Sequence, residues 1–174
     1  MKSILIDLLV YSIILFVSLK IVPLYVVQRT IVDGPSMMET LQDGESLIVE
    51  KISYRFTDIK RFDIVIFFPY GPEIDEYYVK RIIALPNETI QIIDDNIYID
   101  GKLEEENFGK DPIEFQGIAE EPITLGEDEY FVMGDNRNLS LDSRYESLGP
   151  INKKNIVGKA VLRIWPLKDF KVLK

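Results

Sequence analysis

The feature that most constrains the fold is an almost uninterrupted apolar segment from Ile4 to Val27, in which only Asp7 and Lys20 are charged. As an α-helix, this segment would extend about 36 Å at about 1.5 Å per residue, enough to cross a bilayer. It lacks the polar face of a core helix, and no small-residue cleavage pattern of a signal peptide follows it. We therefore expect a retained, single-pass membrane anchor over residues 1–29. The flanking positive charges do not decide its orientation.

After residue 30 the pattern changes to short apolar runs separated by Gly, Pro, Asn and Asp, which is typical of antiparallel strands. The runs that predict strands are SLIVEKI, DIVIFF, YYVKRIIAL, TIQIIDD, NIYIDG, YFVMGD and IVGKAVLRIW. No helical stripe of ten residues follows the anchor. We therefore predict a mainly β domain over residues 30–174, with a small inserted β lobe at about residues 93–130.

The composition excludes several classes of site. The chain has no cysteine and no histidine, so it has no disulfide, no Cys/His zinc site and neither a Ser-His-Asp nor a Cys-His catalytic group. A serine nucleophile in this chain would need another base, and lysine is the main candidate. The net charge of −9, without a run of Lys and Arg, argues against a nucleic-acid partner.

One strand contains two adjacent basic residues among apolar ones. Lys80 shares a strand face with Tyr78 and Ile82, and Arg81 points to the other face. For any single basic residue the default expectation is a solvated side chain lying along the sheet surface. A buried lysine, however, has a depressed pKa and can accept a proton from a serine hydroxyl. Residue chemistry alone leaves the pairing of Lys80 with Ser36 as one of several possibilities.

Four sequence blocks together resemble the bacterial type I signal peptidases. In family order they are GPSMMETL, LQDGESLIVEK, YYVKRIIALPNETI and FVMGDNRNLSLDSRYESLGP. The last block is long and highly specific, and the single anchor and short length resemble the Gram-positive branch. The resemblance runs from the anchor to about Arg163, and it implies the antiparallel β catalytic fold of that family.

The resemblance implies a role for each matching residue. Ser36 would be the nucleophile and Lys80 the general base, while Ser140 would hydrogen-bond and orient the lysine amine. The remaining positions would brace or shape the site: Asp142 and Arg144 through a polar network, Gly134, Asp135, Asn136 and Arg137 through the loop that holds Ser140, and Met37 through the apolar floor.

Two positions depart from the family pattern. Gly34 stands where Gram-negative members have a serine whose hydroxyl helps form the oxyanion hole, so the second donor here must be backbone or water. Glu39 stands where the family usually has proline, which could loosen the turn or alter substrate preference.

The implied activity is removal of signal peptides from secretory preproteins after small residues, by a domain on the extracytoplasmic side of the cell membrane. The implied partners are preproteins and membrane lipid, with no cofactor and no metal; the oligomeric state stays open. We expect the substrate to pair with exposed strand edges near Asp33–Ser36 and Tyr77–Lys80. The main alternative is a specialised relative that cleaves or chaperones a few surface or pilus proteins. A self-cleaving repressor would need a DNA-binding domain, and a purely binding domain predicts that Ser36 and Lys80 lie far apart.

Overall fold

The N-terminal part of the protein is helical. The computed structural model describes residues 2–74, 76–109 and 111–173. It begins with α1 (Lys2–Phe16), a π-helical segment (Val17–Ile21) and α2 (Val22–Tyr25). The large apolar side chains of α1 are exposed, as Leu5 and Tyr11 illustrate at 65% and 68%. Among the described residues, no single helix combines the length and the apolar character needed to cross a membrane.

The rest of the described chain is built from short strands joined by turns. The strands are β1 (Val27–Ile31), β2 (Ser46–Glu50), β3 (Ile64–Phe67), β4 (Tyr78–Ala84), β5 (Thr89–Ile93), β6 (Asn96–Ile99), β7 (Lys102–Leu103), β8 (Ile123–Thr124), β9 (Glu129–Met133), β10 (Ile151–Asn152), β11 (Ile156–Trp165) and β12 (Lys171–Val172). Short 3-10 turns occupy Ser53–Arg55, Gly117–Glu120, Lys153–Asn155 and Leu167–Asp169.

The larger sheet has the order β1-β2-β11-β3-β4-β9-β10, with β12 added to β11, and its pairings are antiparallel. Strand β3 alternates between two cores, because Ile64 and Ile66 pack on one face while Val65 and Phe67 pack on the other. This period-two burial is what a sheet covered on both faces requires. The prediction of a mainly antiparallel β fold is confirmed.

A second, four-stranded sheet lies between Thr89 and Thr124, with the order β7-β6-β5-β8. Its apolar face packs against the larger sheet, where Ile90 and Ile97 meet Ile83 and Phe131 in one buried cluster. Three strands of this sheet, β6, β7 and β8, lie in the segment at about residues 93–130 that the sequence assigns to a small lobe, whereas β5 (Thr89–Ile93) lies almost entirely before it. The sheet shares a buried core with the larger one.

Two details of the sequence prediction are corrected by the structure. The segment Asp33–Ser36 is a bend and turn rather than an edge strand, because β1 already ends at Ile31 and glycine at 34 adopts a φ of +85°. The default expectation that a basic strand residue is solvated is wrong for both Lys80 and Arg81, which are 4% and 0% exposed.

Candidate active site

The turn that presents Ser36 is fixed at both ends. On its N-terminal side, the Gly34 N–H donates to Asp43 Oδ1 at 2.9 Å, and the positive φ of Gly34 suits a residue without a Cβ. On its C-terminal side, Met37 and Leu41 are buried in the same core cluster. Because the residue after Ser36 is anchored in the core, the serine is held at a defined position on the surface.

Lys80 reaches this serine from strand β4. Its Nζ lies 2.8 Å from Ser36 Oγ and donates to the Val79 carbonyl at 3.1 Å. Burial lowers the pKa of Lys80 from 10.5 to about 8, although the carboxylates of Asp142 and Asp135 oppose this shift. The pKa stays low because each carboxylate is engaged by an arginine, so the lysine does not face an uncompensated negative charge.

The first arginine is Arg81, a residue that the sequence did not identify as part of the site. Its guanidinium donates to both carboxylate oxygens of Asp135, from Nε at 2.8 Å and from Nη2 at 2.6 Å. It also lies 3.7 Å from the centroid of the Phe108 ring and donates to the Phe62 carbonyl. The signal for it was its place beside Lys80 in an apolar strand, where a second buried cation needs a buried carboxylate.

The second arginine, Arg144, pairs with Asp142. Arg144 donates from Nε to Asp142 Oδ1 at 2.8 Å and from Nη2 to Oδ2 at 2.9 Å, and both residues are fully buried. Asp142 also accepts the Gly134 N–H at 3.1 Å, while Arg144 reaches the carbonyls of Phe115 and Arg137. This network connects the loop around Ser140 to Phe115, which lies in the segment between β7 and β8 of the second sheet.

The loop from Gly134 to Arg137 is hydrogen-bonded to the backbone of the nucleophile turn. The Asn136 N–H donates to the Ser36 carbonyl at 3.1 Å, and its side-chain amide donates to the Pro35 carbonyl at 3.2 Å. Arg137 donates to the Gly134 carbonyl and forms an ion pair with Glu106. Residues a hundred positions apart thus fix one turn.

The absence of a side chain at Gly134 lets Ser140 and the Ser36 carbonyl pack directly against its backbone. A Cβ added there would lie 2.3 Å from Ser140 Oγ and 2.3 Å from the Ser36 carbonyl oxygen. Ser140 is therefore brought to the nucleophile turn, but its buried hydroxyl has no hydrogen-bond partner among the described residues. The expected bond from Ser140 to the Lys80 amine is thus absent from this structure.

A cleft of about 500 Å³ opens beside the Ser36–Lys80 contact. Its walls come from the end of β1, the nucleophile turn, the start of β4 and the exposed side chains of Leu139 and Leu141. Strand β4 pairs with β9 only from Arg81 onward, so Tyr78–Lys80 lack a strand partner on that side within the described residues. No group of three or more acidic residues arranged to hold a metal ion occurs in the described ranges.

The sequence model of the family described as "Signal peptidase, peptidase S26" matches residues 5–165. The chain belongs to this family. It is therefore a serine peptidase, and the predicted resemblance to bacterial type I signal peptidases is confirmed.

The relatives span most of the chain. Signal peptidase I of Leptolyngbya laminosa is 38% identical over 149 residues, which cover 82% of this chain and 71% of that protein. Signal peptidase I P of Bacillus subtilis subsp. natto is 38% identical over 173 residues, covering 95% and 92%. A crystal structure of a signal peptidase I from Enterococcus faecalis V583 aligns with 59% of this chain and 97% of that chain, at 32% identity and a TM-score of 0.45.

Glu39 has a backbone conformation that a proline could not adopt. Its φ is +83°, whereas a proline ring fixes φ near −65°. We expect Glu39→Gly to raise the free energy of unfolding by about 1 kcal/mol, because glycine adopts this region without strain, and Glu39→Pro to lower it. Denaturant unfolding of both variants beside the wild-type protein measures the effect; a Glu39→Pro variant as stable as the wild type would contradict it.

Proposed function

We propose that this chain is a membrane-bound endopeptidase that removes signal peptides from secreted preproteins, with Ser36 as nucleophile and Lys80 as general base. The observation that carries the proposal is the 2.8 Å contact between Ser36 Oγ and a buried Lys80 Nζ whose pKa is lowered to about 8. A lysine in this state is neutral in a useful fraction of molecules near neutral pH, and a neutral amine can accept the serine proton.

The reaction follows from this contact. Ser36 Oγ attacks the scissile carbonyl carbon while its proton passes to Lys80 Nζ, and a new C–O bond forms. The C–N bond then breaks, the leaving amine takes the proton from Lys80, and an acyl ester remains on Ser36. Lys80 next removes a proton from water, whose oxygen attacks the ester carbon. The C–O bond to Ser36 then breaks, Lys80 returns the proton to Ser36 Oγ, and the second product leaves.

The backbone N–H of Ser36 is the proposed donor to the oxyanion. It makes no hydrogen bond to any other described residue, so it is available to a substrate oxygen. Gly34 offers no side-chain hydroxyl at this point, so the second donor must be backbone or water. Ser140 is proposed to turn its unpartnered hydroxyl to the Lys80 amine once substrate is bound; Asp142 and Arg144 hold the loop that places it.

The substrate is proposed to bind as an extended strand along the unpaired edge of Tyr78–Lys80. Main-chain hydrogen bonds to this edge would provide affinity, and alternate side chains would enter the cleft lined by Val32, Met37 and Leu141. These three apolar side chains suit small apolar residues at the first and third positions before the cut, while Asp33 and Glu76 also line the cleft; this specificity is what membership of the family implies.

Membrane attachment is proposed through the N-terminal helical segment. Its apolar side chains are exposed along α1, an arrangement that is unfavourable in water and favourable in lipid. The nucleophile lies only eleven positions after Tyr25, the last residue of α2, so the cleft would stand close to the membrane on the extracytoplasmic side. The oligomeric state is left open.

Cleavage of a secretory preprotein by the full-length protein in detergent micelles, followed across pH, tests this function. We expect a cut after a small residue, mapped by mass spectrometry. Because protonated Lys80 cannot act as a base, kcat/KM should rise about tenfold per pH unit below the pKa and level off above about pH 8. A profile that is flat between pH 6 and 9 would contradict a lysine base. Cleavage of only one or two of many precursors would favour the specialised alternative.

A further inference from the structure

A second cleft, of about 430 Å³, lies at the end of β2 opposite the nucleophile turn. One end of β2 adjoins the active site, since the Val32 N–H donates to the Glu45 carbonyl at 2.8 Å. At the other end, the Lys51 N–H donates to the carbonyl of Val26 at 2.9 Å. The second cleft is therefore separate from the peptidase site and borders the junction between the N-terminal helices and the sheet.

Four cationic side chains line this cleft, and no acidic residue among those that the structure describes does. They are Lys51, Arg55, Lys153 and Lys154. In a chain whose net charge is −9, such a concentration of positive charge is unusual. Within the described ranges, Arg55, Lys153 and Lys154 make no ion pair with a carboxylate. The like charges repel one another, and a bound anion would relieve that repulsion.

The walls of the cleft combine this charge with apolar surface. Phe68 and Ile156 line it together with the basic residues. A phosphate group fits the cations, because ammonium and guanidinium groups both donate to its oxygens. The apolar wall suits a ligand whose phosphate carries an apolar body, which a free inorganic anion lacks.

The position of the cleft relative to the helices points to the source of such a ligand. The Arg55 guanidinium lies 5.7 Å from the centroid of the Tyr25 ring, at the last residue of α2. Next to Arg55, the Phe56 side chain is 82% exposed. Tyr25, at the last residue of α2, is 47% exposed, and tyrosine at the end of an apolar helix is typical of the interfacial layer of a bilayer, where headgroup phosphates lie.

We propose that this cleft binds the phosphate of an anionic phospholipid headgroup and so fixes the orientation of the β domain on the membrane. The proposal rests on the proposed membrane attachment of the N-terminal helices. Arg55, Lys153 and Lys154 hold the phosphate oxygens, and the glycerol and first acyl carbons lie along Phe68 and Ile156. With this corner of the sheet at the headgroup layer, rotation of the domain about its helical stem is restricted.

The test is a titration of short-chain phosphatidylglycerol, and separately of phosphatidylcholine, into the full-length protein in nonionic-detergent micelles. Because cations next to an anionic membrane surface favour its binding, we expect phosphatidylglycerol to bind at least about tenfold more tightly than phosphatidylcholine. The triple variant Arg55→Gln, Lys153→Gln, Lys154→Gln should lose this preference. The matched control, Lys102→Gln, Lys168→Gln, Lys171→Gln, removes the same charge from exposed sites outside the cleft and should keep it.

Control titrations with other ligands distinguish a phospholipid from other anions. Inorganic phosphate or an acidic peptide that binds the wild-type protein as tightly as phosphatidylglycerol would overturn the lipid assignment. Equal binding of the two lipids, or equal loss in the triple variant and its control, would overturn the cleft itself.

The lipid-binding result can be distinguished from the results that test the peptidase activity and the membrane attachment of the N-terminal helices. The Ser36→Ala variant should keep the lipid preference, and the triple variant should still cleave a preprotein in lipid-free micelles. Co-elution of the wild-type protein with lipid-free micelles reports attachment of the helices separately, so its failure is distinguishable from failure of the cleft.

Discussion

Replacing either member of the Ser36–Lys80 pair should abolish cleavage while leaving a folded protein. We expect Ser36→Ala and Lys80→Met to lower kcat/KM by about ten-thousand-fold or more, because the two side chains act as one unit in proton transfer and attack. Combining both changes should add little to either, which is how residues of one catalytic unit behave. Preprotein cleavage with purified protein in micelles provides the measurement, and Ser147→Ala and Lys102→Met, at exposed positions, are the controls.

The Lys80→Met variant should also have a higher free energy of unfolding than the wild type, which distinguishes it from a variant that is inactive because it does not fold. Lys80 is 4% exposed, and its pKa falls from 10.5 in the unfolded chain to about 8 in the folded protein. Below pH 8 the folded state holds a proton that burial disfavours, so the lysine destabilises the fold there. Methionine removes that penalty, and the variant should be more stable than the wild type by about 2 kcal/mol at pH 7.

The pH dependence of that gain follows from the direction of the shift. Between pH 8 and 10.5 the unfolded chain binds more protons than the folded protein, so wild-type stability rises with pH in this range. The advantage of Lys80→Met should therefore shrink as pH approaches 10. Thermal unfolding of both proteins at pH 7 and pH 10 measures it. If the variant is less stable than the wild type at pH 7, Lys80 contributes packing or hydrogen bonding that outweighs its desolvation.

The strands of the fold were accessible from the sequence because their signals are local. The runs at Ile64–Phe67 and Ile156–Trp165 are apolar and bounded by turn residues, and the structure has strands there. The two-residue strands β7, β8, β10 and β12 were not predicted, because each is too short to show a period-two pattern. Strand β1 was also missed, because its residues continue the apolar N-terminal segment without a break in hydropathy. Its pairing with β2, rather than its own composition, makes it a strand.

The site was accessible only in part, since much of it depends on pairings between distant residues. The motifs indicated Ser36 and Lys80 as candidates, and the structure places them 2.8 Å apart. Nothing local to Arg81 identifies Asp135, 54 positions away, as its buried partner. The basic cleft is hidden for the same reason, because Arg55 and Lys153 are separated by about a hundred positions and form no run of charge.

The second large effect on catalysis is expected from a substitution at Gly134, which has no side chain. Gly134→Ala would place a methyl group 2.3 Å from the Ser36 carbonyl oxygen, 2.3 Å from Ser140 Oγ and 2.6 Å from Ser140 Cβ. The serine side chain has some freedom to rotate, but the Ser36 carbonyl does not, because it accepts the Asn136 N–H at 3.1 Å. The added methyl must therefore displace the nucleophile turn itself.

A displacement of this kind costs more in catalysis than in stability. We expect kcat to fall about a hundredfold, since a shift of about 1 Å at a reacting group has that effect, and the free energy of unfolding to fall by about 1–3 kcal/mol through overpacking. KM should change less than kcat, because the strand edge at Tyr78–Lys80, along which the substrate is proposed to pair, is not touched. Steady-state cleavage and thermal unfolding of the same preparation measure the three quantities together.

Gly126→Ala is the matched control, because its added methyl would meet only the flexible end of the Glu129 side chain, at 3.2 Å. That variant should retain wild-type kcat. The double variant Gly134→Ala, Ser140→Gly removes the contact with Ser140 but keeps the contact with the Ser36 carbonyl. It should recover part of the lost stability and none of the lost kcat. Full recovery of kcat in the double variant would mean that Ser140, and not the backbone of the nucleophile, is what Gly134 must accommodate.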